Sequence, residues 1–75
     1  MTKLPLLKAK DLAKVLDKLG FQLLRQKGSH MFFRHPDGRS TVIPNHPHED
    51  VDRGLLNKII KKDLRIDREE FLKYV

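Results

Sequence analysis

The sequence predicts an α+β fold in the order α-β-β-β-α with a short C-terminal helix, the three strands forming an antiparallel sheet with helices on one face. Three observations predict it. Leu12, Val15, Leu16 and Leu19 recur at i, i+3, i+4 and i+7, the apolar stripe of a helix. Two turn signals, Gly28-Ser29 and Pro36-Asp37-Gly38-Arg39, then divide three short strand-like runs. Helical spacing returns with Leu55, Leu56, Ile59 and Ile60.

The first helix is expected from Ala9 to Leu19, with Gly20 ending it. Asp11 suits its first turn, although neither Lys8 nor Ala9 caps as Ser or Asp would. Phe21 to Lys27 reads as the first strand and His30 to His35 as the second. Ser40 to Ile43 is the third, stopped by Pro44. Two-residue loops at Gly28-Ser29 and Asp37-Gly38 would set Leu24, Phe33 and Val42 in one row on the helix-covered face. His30, Phe32 and Arg34 then point the other way, because alternate residues share a face. Phe21 and Leu23 would also share that outer face, so a bulge or a strand end must intervene.

Pro44 to Glu49 is loop, with two prolines and no other apolar residue. Asp52 is suited to cap the second helix and Val51 to staple to Leu56, with the end near Lys62. Asp67 caps a third helix reaching about Tyr74, Ile66 stapling to Phe71 and Glu70 completing a capping box.

A chain of 75 residues is expected to be one domain, residues 1–75. A chain of this size buries only about 60% of its unfolded surface, so no large organic cofactor has room and none is expected. Cys is absent, which excludes disulfides and thiolate chemistry and is compatible with a cytoplasmic location. Leu4, Leu6 and Leu7 are interrupted by Pro5 and ended by Lys8, too short for a signal segment, and no later apolar run could span a bilayer. The expectation is a cytoplasmic protein without a membrane partner.

Charge is unevenly placed. Residues 1–46 hold nine basic and three acidic side chains, whereas residues 47–75 hold seven of each. The whole excess of +6 lies in the half with the turns and strands. A one-sided basic surface favours a polyanion, nucleic acid above all, with a solvated face serving solubility as the alternative.

Among residues able to carry chemistry, His30 stands first. Imidazole ordinarily titrates near pH ~6.5 and exchanges protons at neutral pH. Cleaving RNA requires the 2′-hydroxyl to lose a proton and the 5′-oxygen to gain one, and one placed histidine can serve either step. Gly28 leaves room for a phosphate, and Gly28 and Ser29 offer it backbone N–H groups and a hydroxyl. Arg25, Lys27 and Arg34 would balance charge on the non-bridging oxygens. Phe32, on the same face, could stack a base. Taken alone, Gly-Ser-His is a weak signal, more often met by a plain turn before a strand-edge histidine, with Phe32 merely core.

His46 and His48 lie beside Glu49 and Asp50, but no recognised zinc spacing appears, and no metal site is assigned. His46 is either a second polar group near the active face or a solvated loop residue, and His35 is expected at the surface of the hairpin end. No Gly-rich phosphate loop, nucleophile elbow or paired-carboxylate arrangement is present. Lys10, Lys14 and Lys18 form a stripe on the first helix that either touches RNA backbone or is its solvated face.

The ordered series resembles the HicA family of toxin endoribonucleases. It runs Leu19-Gly20-Phe21, Arg25-Gln26-Lys27-Gly28-Ser29-His30, Arg34-His35-Pro36-Asp37-Gly38-Arg39, Val42-Ile43-Pro44 and His46. The resemblance extends over nearly the whole chain. It implies a fold similar to a double-stranded-RNA-binding domain, metal-independent cleavage of mRNA, and inhibition by an antitoxin of the HicB type. It also implies that His30 is the catalytic residue, with DNA not expected as a ligand of the isolated toxin. The alternative on the same fold is a non-catalytic RNA-binding module.

Overall fold

A computed structural model describes residues 4–75; the first three residues of the expected 1–75 unit lie outside the described residues. The order is α1 (Ala9–Lys18), β1 (Gln22–Lys27), β2 (His30–Arg34), β3 (Ser40–Pro44), α2 (Arg53–Lys58) and α3 (Arg68–Leu72). A π-helical segment, Ile59–Leu64, continues α2 directly. The strands form one antiparallel sheet in the order β1-β2-β3. The predicted α+β class and element order are therefore present.

Each helix buries the stripe that predicts it. Leu12, Leu16, Leu56, Ile59, Ile60 and Leu64 are all buried, together with Phe21, Ile43 and Phe71. Leu4 and Leu7 join this core, and the Leu7 carbonyl accepts from the Val51 N–H at 2.7 Å. The chain entering α1 is thus tied to the chain entering α2. Asp11 accepts from the backbone N–H of Lys8 at 3.2 Å, the carboxylate half of a capping box. Asp52 and Asp67 cap as expected, accepting from Leu55 N–H at 3.0 Å and Glu70 N–H at 2.7 Å. The π-helical segment closes on Arg65 at φ 57°, with Ile66 N–H reaching the Ile60 carbonyl at 3.3 Å. That bond spans one residue more than the 6→1 bond of a Schellman motif, as suits the wider π-helical turn, with Arg65 in the left-handed position usually held by Gly.

Strand register corrects the expected side-chain rows. The first hairpin has the predicted two-residue loop, Lys27 pairing with His30. Moving along it, Arg25 pairs with Phe32 but Leu23 pairs with Phe33, so Leu24 is the extra residue of a bulge. This resolves the Phe21–Leu23 conflict and leaves Leu24 60% exposed rather than under the helices. In the second hairpin His35 N–H bonds the Arg39 carbonyl, so the loop is Pro36-Asp37-Gly38, one residue longer than expected. Gly38, at φ 100°, closes that turn. One added residue reverses the parity of the whole third strand. Phe33 therefore faces Thr41, not Val42; Val42 pairs with Phe32 and is 40% exposed. The helix-covered row is Met31, Phe33, Thr41 and Ile43, and buried Thr41 donates its hydroxyl to Asp63 at 2.9 Å.

Candidate functional site

The open face of the sheet carries the expected site residues. His30 is the first residue of β2, between Lys27 on β1 and Pro44 on β3. Its side chain is exposed, and among the described residues its imidazole has no hydrogen-bond partner. Gly28 adopts φ 58° while Ser29 does not share the positive sign, the φ pattern of a type II′ turn with Gly first. A Cβ built on Gly28 meets nothing within 4 Å, so glycine serves the backbone conformation there and the space beside it is open. The N–H groups of Gly28 and Ser29 donate to no backbone partner among the described residues. The Ser29 carbonyl accepts from Asn45 N–H at 2.5 Å, which pins the turn to the chain leaving β3.

Phe32 and Arg34 follow His30 at alternate positions of β2 and share its face. Arg25 lays its guanidinium carbon 4.7 Å from the centroid of the Phe32 ring. Phe32 therefore already has a cation over its ring. Lys27, Arg25 and Arg34 are exposed, and none of the three strands contains Asp or Glu. Among the described residues their charges meet no carboxylate on this face, so the local potential is positive.

His46 lies two residues past Pro44, at the same end of the sheet as His30. Its surroundings differ. It lines a small recess with Pro44, Glu49, Asp50, Val51, Asp52 and Leu55, and three of those are carboxylates. Asp50 pairs with Lys8 at 3.8 Å. The fold thus gathers His30, Phe32, Arg34, Arg25 and Lys27 on one basic face and leaves His46 on an acidic margin. Among the described residues no group of three or more His, Cys, Asp or Glu could hold a metal ion. Nor is any described helix long and apolar enough to cross a membrane.

Leu24 and Val42 were missed on this face. The Phe21–Leu23 parity conflict already pointed to the bulge that exposes Leu24. Pro-Asp-Gly with Gly third is the signal of a three-residue loop, which exposes Val42.

The other end of the sheet holds a second histidine in a structural setting. His35 is half-buried, contrary to the surface position expected of it. Its Nδ1 is 3.1 Å from the Asp37 N–H, which donates to it, and 3.0 Å from Asp37 Oδ1. Asp37 also accepts from Arg39 N–H at 3.0 Å and Arg39 Nε at 2.8 Å, and the Arg39 guanidinium reaches the Leu64 carbonyl at 2.5 Å. The Arg39 N–H, the guanidinium beside it and the neighbouring imidazole hold the Asp37 carboxyl below its ordinary value.

The model of the family described as "HicA toxin of bacterial toxin-antitoxin" matches residues 9–64, three quarters of the chain. The chain belongs to the HicA toxin family. The matched region begins with the first residue of α1 and ends with the last of the π-helical segment, so α3 lies beyond it. No curated protein matches the sequence. Membership makes this HicA-family chain a toxin of a toxin–antitoxin system and implies an antitoxin as its partner. Two groups of residues in the matched region now have distinct physical roles. Gly20, Phe21, His35, Asp37 and Arg39 lock the far hairpin to the helices, while Lys27, Gly28, His30, Phe32 and Arg34 build the exposed face.

Proposed function

We propose that this HicA-family toxin is a metal-independent endoribonuclease acting on mRNA, with His30 as its catalytic acid or base. The supporting observation is the His30 imidazole, exposed and unpartnered at a glycine turn among Lys27, Arg25 and Arg34. The reaction needs no added reactant. The 2′-oxygen of the substrate attacks the adjacent phosphorus as its proton leaves, and the bond to the 5′-oxygen breaks as that oxygen gains a proton. The products are a 2′,3′-cyclic phosphate and a 5′-hydroxyl end. His30 takes the first of these protons or gives the second, and a positioned imidazole in such a role contributes roughly 10²–10⁴-fold. Lys27, Arg25 and Arg34 balance the negative charge growing on the phosphate oxygens, and the N–H groups of Gly28 and Ser29 offer donors to the same oxygens. His46 serves at most as a second polar group, since carboxylates flank it. DNA lacks the attacking hydroxyl and is not a substrate.

The partner reading follows from the same charges. A HicB-type antitoxin that covers His30 presents acidic and apolar groups to this face.

One observation favours the non-catalytic alternative: among the described residues no side chain orients the His30 ring by a hydrogen bond, as catalytic bases commonly require. The test is RNA cleavage in EDTA by the purified toxin and by His30→Ala. The expected result is new 5′-hydroxyl fragments from the parent and at least ~100-fold fewer from a folded variant. Equal cutting by the two proteins refutes His30 as catalyst, and binding without fragments favours the module.

A further inference from the structure

The bulge at Leu24 and the three-residue loop at Pro36-Asp37-Gly38 have a joint consequence on the open face. They bring Leu24 and Val42 to the same side as Phe32. Leu24 is 60% and Val42 40% exposed, and Phe32 is half-buried between strands that lack any acidic residue. These side chains line a shallow groove of about 390 Å³ with Arg34, Gly38 and Ser40. Its size falls in the ~300–1,000 Å³ range of small-molecule sites.

Three apolar side chains beside Arg34, with Arg25 over the Phe32 ring, suit one nucleic-acid geometry better than another. In an A-form duplex the bases are stacked on each other, and the outer surface offers phosphates and 2′-hydroxyls. Pressing Leu24 and Val42 against that surface would desolvate polar groups without pairing them. An unpaired base presents an apolar π-face, which can lie on Leu24 and Val42 and against the Arg25–Phe32 stack. Phe32 is two residues along β2 from His30, ~7 Å of strand, which is about the reach of one nucleotide. Arg34 is two residues further on, placed for the next phosphate.

The geometry points to Leu24, Phe32 and Val42, with Arg25 stacked on Phe32, as a base-binding subsite that restricts this toxin to unpaired RNA one nucleotide from the phosphate held at His30. This rests on the ribonuclease reading only for the phosphate at His30; the subsite itself is a binding claim.

The experiment measures binding, separately from cleavage. A short single-stranded RNA, 2′-O-methylated so that it cannot be cut, is titrated by fluorescence anisotropy against the parent toxin, Leu24→Ser and Val42→Ser. A perfect duplex RNA of the same sequence, 2′-O-methylated to prevent cutting, serves as comparison. Both substituted positions are solvent-exposed, and circular dichroism melting verifies that each variant is folded. The expected result is single-strand affinity reduced about five- to tenfold by each substitution, with duplex affinity weaker in the parent and unchanged in the variants. Duplex bound as tightly as single strand by the parent overturns the proposal. So does single-strand affinity that both variants retain, including the case in which they lose only the cognate antitoxin, which would make the patch a protein-docking surface. If the variants weaken single-strand binding but the parent never cuts natural RNA, the subsite stands and the ribonuclease reading falls. If RNA is cut with the variants binding normally, the reverse holds.

Discussion

The imidazole of His35 stands edge-on to the ring of Phe21, their centroids 5.1 Å apart and their planes at 65°. The Arg39 guanidinium carbon lies 5.2 Å from the centroid of the same phenyl ring, so Phe21 holds two polar side chains of the far hairpin. This chain thus uses histidine in two ways. His35 is packed and hydrogen-bonded at one end of the sheet, and His30 is exposed at the other.

The two should separate in mutagenesis. His35→Ala removes the contact with Phe21 and leaves the Asp37 N–H without its partner. A loss of about 1–3 kcal/mol is expected. In a domain of this size each kcal/mol lowers Tm by about 4–8 °C, readable by thermal melting. RNA cleavage measured well below that Tm should persist. For His30→Ala the prediction is the reverse, a melting curve close to the parent's with cleavage gone.

Gly20 explains why this packing is possible. Its φ is 96°, and a Cβ placed there would lie 2.9 Å from His35 Nε2. Gly20→Ala should therefore destabilise by about 1–3 kcal/mol through backbone strain and the clash together. A double-mutant cycle separates the two causes. In a His35→Ala background the clash is absent, so Gly20→Ala should lower Tm by less. Strictly additive shifts would mean that only the backbone conformation matters.

The Asp37 carboxyl is held below its ordinary value near 3.8, first by the Arg39 N–H and then by the Arg39 guanidinium. A carboxyl depressed on folding adds stability that is complete above the unfolded value and lost as pH falls through the folded one. Asp37→Asn removes that contribution. The Tm gap between parent and variant should be widest near neutral pH and should narrow as pH falls below ~4, closing where the folded parent's depressed carboxyl is protonated as well. A gap that stays constant into acid would mean that the carboxylate charge contributes nothing.

The exposed basic residues should report through salt. If Lys27 and Arg34 each neutralise a phosphate, Lys27→Ala and Arg34→Ala should each lower the slope of log affinity against log salt by about 0.7 for a single strand. Lys61→Ala, on the helical side, should leave the slope as it is. Equal effects from all three would indicate diffuse attraction by net charge.

Much of this architecture is legible in the residues. The stripes of α1 and α2, the Asp52 and Asp67 caps and the Gly28-Ser29 turn all follow from local rules, because each depends on residues within about one helical turn or one hairpin. The basic strand half and the place of His30 on the open face are legible for the same reason. Less legible is the sheet's parity. It depends on loop length to a single residue, and both Leu24 and Val42 changed sides through such one-residue events. The settings of His35 and His46 needed elements distant in sequence: Gly20 and Phe21 for one, the carboxylates ahead of α2 for the other.

By itself the sequence determined the order of elements, the placement of positive charge and the turn that presents His30, since these are properties of neighbouring residues. Tertiary structure alone decided which side chains share the open face with that imidazole and which histidine is packed away. Those outcomes come from strand register and long-range packing, where one bulged or added residue moves every later side chain to the opposite face.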